Sequence, residues 1–82
     1  MKKPKRKDLD LSGEWEYRVV KEGQIYTIRE VFYDTKGKPA LWSDPEAPQG
    51  VSAEELKKDI KWMLEAFKSP ILKEVNNHLE EI

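Results

Sequence analysis

His78 is the only histidine in this 82-residue chain, and there is no cysteine. A metal centre needs several nitrogen, sulfur or oxygen ligands converging at fixed geometry. One imidazole among lone surface carboxylates does not supply that set. Nucleophilic catalysis needs a base beside a hydroxyl or thiol. Ser12, Ser43, Ser52 and Ser69 all fall at turn or cap positions, where the hydroxyl serves the backbone. The acidic pairs Glu54-Glu55 and Glu80-Glu81 are adjacent on helical segments, and adjacent helical positions do not face one another. No Gly-rich phosphate loop is present. These residues predict a protein that is not an enzyme and uses no cofactor or metal.

Recognition is the chemistry left. Tyr33, Trp42 and Trp62 lie off the main apolar stripe or on a short edge strand, and aromatics of this type anchor interfaces. They are the candidate partner-binding residues. The competing reading is that they close a small aromatic core. A second candidate is electrostatic. Lys2, Lys3, Lys5, Arg6 and Lys7 supply five of the 15 basic residues, and all 16 acidic residues follow them. From Asp8 onward ten basic residues face 16 acidic ones, a net of −6. A body of that sign repels phosphate, so only the basic arm suits nucleic acid. Read as structure alone, the arm is a solvated leader.

The elements that position these residues can be read from periodicity. Residues 1–12 read as a flexible basic tail, and 13–82 as a single domain. Glu14 to Lys21 alternates as a strand, with Trp15, Tyr17 and Val19 on one face. Glu22-Gly23 reads as a two-residue turn into a second strand from Gln24 to about Tyr33. That turn sets Val20 opposite Ile25, Val19 opposite Tyr26, Tyr17 opposite Ile28, and Glu16 opposite Arg29. Glu30 then breaks the pattern of the core face. A bulge near it would turn the carboxylate out; otherwise a partner such as Arg or Tyr must hold it. A Gly turn at Asp34–Lys38 leads to a short third strand, which Pro39 confines to an edge.

Ser52 and Glu55 form a capping-box pattern at the start of a helix from Ala53 to about Lys68, with Val51 and Leu56 spaced as a hydrophobic staple. Leu56, Ile60, Met63, Leu64 and Phe67 share one stripe of it, expected to cover the aromatic sheet face. Trp62 falls off that stripe. Ser69-Pro70 ends this helix. Ile71, Leu72, Val75, Leu79 and Ile82 read as the stripe of a second, C-terminal helix. The predicted fold is therefore α+β: a three-stranded antiparallel sheet packed by one amphipathic helix, followed by a second helix.

Tyr17-Arg18-Val19, Gly23-Gln24-Ile25-Tyr26 and Gly50-Val51-Ser52-Ala53-Glu54-Glu55-Leu56 together resemble small HicB-like antitoxin domains. The resemblance spans about half the chain, and the Asp-x-Pro-Gly stretch of that family is replaced by Trp42 to Gly50. It implies an antitoxin-type inhibitor. The pattern Trp-x-Tyr-Arg-Val, Glu-Val-Phe-Tyr-Asp, Gly-x-Pro and Ser-Pro-Ile-Leu looks like short uncharacterised bacterial proteins, which implies no activity. Without an apolar run of membrane length or a secretory leader, the expectation is a cytoplasmic protein. It would bind another protein or itself, not a membrane; the alternative is a nucleic-acid-associated accessory protein using the basic arm.

Overall fold

The computed structural model describes residues 10–82. Five strands and one helix follow in order: β1 (Leu11–Glu22), β2 (Ile25–Asp34), β3 (Pro39–Trp42), α1 (Ala53–Met63), β4 (Leu72–Val75) and β5 (His78–Glu81). A 3₁₀ segment, Leu64–Lys68, continues α1 directly. The class is α+β, but the sheet is five-stranded and mixed, in the order β3-β2-β1-β4-β5, with β4 parallel to β1. This overturns the expected three-stranded antiparallel sheet with two helices. β1 starts at Leu11, so residues 11 and 12 belong to the sheet and not to a tail.

The hairpin β1–β2 forms where alternation predicts it, but two residues out of the expected register. Val20 faces Thr27, Val19 faces Ile28, Tyr17 faces Glu30 and Glu16 faces Val31. The turn is Gly23-Gln24, with Gly23 at φ 61 in its first central position. A type II′ turn asks for glycine there, whereas the expected turn placed it second. A slip of two keeps side-chain parity, so the faces are as read. The one β1–β2 irregularity lies between Leu11 and Trp15, at Gly13 (φ 90), not at Glu30. At the far end Asp34 Oδ1 accepts from the amides of Lys36 and Lys38, and Gly37 takes the left-handed conformation at φ 81.

The segment read as a second helix is a hairpin. Asn76 and Asn77 have φ 49 and 66, the two left-handed residues of a type I′ turn. Leu72, Val75 and Leu79 fit helical spacing, yet β4 and β5 pair Leu72 with Glu81 and Val75 with His78.

The edge strands β3 and β5 touch each other although they sit at opposite ends of the strand order. The sheet therefore curls until one face becomes an interior. Val20, Val31, Trp42, Leu72 and Leu79 are buried there, with Tyr33 packed against them. Arg18 and Arg29 face each other across the ladder on this same side, both buried. Like charges opposite one another repel, and the two guanidinium groups are held apart by different acceptors. Arg29 donates to Glu22 Oε1 at 2.9 Å and to the Ser43 carbonyl at 3.3 Å. Arg18 donates to Tyr33 Oη and to the Pro70 carbonyl, each at 2.7 Å.

The outer face carries the helix. Tyr17 and Val19 are buried against Met63 and Ala66, with Trp15 and Ile28 beside them. The cap is as expected, the Glu55 amide donating to Ser52 Oγ at 3.1 Å. The staple does not form, since Val51 is 91 % exposed. Gly50 takes that place: a Cβ on it would lie 2.5 Å from the Leu56 backbone nitrogen.

Candidate interaction surface

The helix meets the sheet on a different arc from the one its apolar stripe predicts. Asp59, Met63 and Ala66 turn inward, at offsets 4 and 7 from Asp59. Leu56, Ile60, Leu64 and Phe67 remain exposed, so of the five stripe residues only Met63 is core. On the sheet side Tyr17 and Val19 cluster with Met63 and with the small Ala66, which is 0 % exposed, and Trp15 packs beside them. Trp62 then lies on these rings, 5.5 Å from Trp15 and 5.4 Å from Tyr17, the latter edge to face.

The displaced stripe borders a groove of about 490 Å³. One wall is Ile60, Leu64 and Phe67. The opposite wall is Tyr26 and Ile28 of β2, and Pro45 and Pro48 of the connecting loop close one side. That loop is held by continuation of the β2–β3 ladder: the Ser43 amide donates to the Glu30 carbonyl and the Glu46 amide to the Ile28 carbonyl, both at 2.9 Å. The lining is almost wholly apolar, with Glu46 as its acid.

Glu46 meets Glu30 beneath the loop. Glu30 stays in register opposite Tyr17 and points to the outer face, so the expected bulge is absent at this position. Burial pushes its carboxyl above the usual carboxylate range, and the hydrogen bond and charge of Glu46 push the same way. The Tyr17 phenol beside them is raised by burial first, then by the charges of Asp59, Glu30 and Glu46.

The three aromatic candidates do not share one surface. Trp42 is 7 % exposed and sits in the inner cluster. Tyr33 packs against that cluster while its hydroxyl accepts from Arg18 and donates to Glu16 Oε2 at 2.8 Å. Burial and the Glu16 bond raise its phenol, with Arg18 opposing. Trp62 is 54 % exposed on the outer face. The basic arm, Lys2, Lys3, Lys5, Arg6 and Lys7, lies outside the described residues. His78 Nε2 is 2.6 Å from Glu80 Oε2 on the surface. Among the described residues no three His, Cys, Asp or Glu side chains gather as a metal site, and no helix is long and apolar enough to cross a membrane.

Residue-by-residue reading missed Ile60, Leu64, Phe67 and Tyr26 as surface. A signal was present. Val20, Ile25, Val31 and Tyr33 gave the second sheet face apolar content as well, more than one helix can cover. Comparison of the chain with protein-family models, with curated proteins and with solved structures finds no match.

Proposed function

We propose that the protein is a small non-enzymatic interaction module whose binding face is the groove between α1 and β2. The observation that carries this reading is the exposed apolar wall of Ile60, Leu64 and Phe67, which turns away from its own sheet instead of covering it. An apolar surface of this kind on a compact domain marks a docking site. The resemblance to HicB-like antitoxin domains extends the proposal to an antitoxin-type inhibitor that acts by occupying a partner protein.

A photo-crosslinking residue at position 67 tests the reading. Protein adducts at 67, absent when the same group is placed at exposed Lys36 in the turn after β2, support it. Equal labelling at both positions, or none at 67, ends it. The charge asymmetry favours a second reading, a nucleic-acid accessory role for Lys2 to Lys7. Under it, removal of residues 1–7 abolishes salt-sensitive binding to nucleic acid.

A further inference from the structure

We propose that the occupant of this groove is a second copy of the same chain, docked through a two-fold contact in which the helical segment 53–68 of each copy meets the groove of the other. The inference rests on the groove being a binding face and names its partner.

Area is the first argument. Tyr26, Ile60, Leu64, Phe67 and Ile71 are between 37 and 64 % exposed around the groove. At about 200 Å² for a fully exposed large side chain, they offer on the order of 500 Å² of apolar surface. A standard interface covers about 800 Å² per partner, of which roughly 60 % is apolar. The face therefore matches one side of a stable dimer.

Shape is the second. A two-fold contact must be self-complementary, each copy giving what the other receives. Here ridge and groove are side by side. Leu64 and Phe67 form the ridge, and the space bounded by Tyr26, Ile28, Pro45 and Pro48 forms the groove. A two-fold axis near the middle of the stripe sends the ridge of each copy into the groove of the other.

Sedimentation of the purified full chain across a concentration series tests this. The wild type is expected to reach twice its 9.6 kDa mass. Phe67→Glu should remain at 9.6 kDa with an unchanged circular dichroism spectrum and melting curve. A wild type that stays monomeric at every concentration overturns the inference, as does a dimer that survives Phe67→Glu. Those failures leave the groove reading to the crosslink at position 67, which can succeed with a foreign protein when self-association is absent.

Discussion

The two faces of the sheet are built from similar side chains and treated oppositely by the fold. On the inner face Val20, Val31 and Leu72 are essentially inaccessible, although no helix lies over them. On the outer face a helix is present, yet Ile60, Leu64 and Phe67 stay in water. Covering is done on one side by curvature and on the other by Met63 and Ala66, with Trp62 lying on Trp15 and Tyr17. A sheet that curls until its edge strands approach each other buries one face without a second layer. The helix is then released from making the main core, and its apolar stripe is available for something outside the chain.

Substituting the same residue type on each face should break or sharpen this contrast. Trp42→Ala, on the inner face, is expected to cost about 3–5 kcal/mol in denaturant unfolding. Trp62→Ala, with half its surface already wet, should cost about 1 kcal/mol, the ring contacts with Trp15 and Tyr17. Ala66→Leu comes next. Ala66 is fully buried, so the larger side chain should push the helix off Tyr17 at about 1–3 kcal/mol; a shift in near-ultraviolet dichroism would accompany it. Ser52→Ala should cost about 1 kcal/mol through the lost cap.

Glu30→Gln is expected to have a smaller effect and the opposite sign. Because the folded-state pKa of Glu30 is raised, its contribution is full below the ordinary carboxylate pKa and is lost as pH rises through the raised value. The glutamine variant should be more stable than the wild type near neutral pH. Stability against pH should also be flatter for it across the same interval.

The parts of this fold that were legible depended on parity or on local capping. Trp15, Tyr17 and Val19 were assigned to the correct face even though the turn moved by one position, because a two-residue slip preserves alternation. Ser52 capped its helix because that bond lies within four residues. Phase and curvature were not legible. The stripe from Leu56 to Phe67 defines an apolar side of the helix but not which side touches the sheet. Asn76-Asn77 was the readable signal of the last hairpin, since asparagine tolerates positive φ. Helical spacing of Leu72, Val75 and Leu79 hid it. For the candidate site, Trp62 was legible as a misfit on its helix, whereas the groove depended on a loop held by Ser43 and Glu46.

The most direct test removes the same side chain from each face. Leu72 is 1 % exposed and Leu64 is 54 % exposed. Leu72→Ala and Leu64→Ala should be unfolded in urea at a concentration too low for self-association. Leu72→Ala should lose about 2–5 kcal/mol, and Leu64→Ala should fall within about 0.5 kcal/mol of wild type. Equal losses, or a larger one at Leu64, would mean that the helical stripe is the core after all.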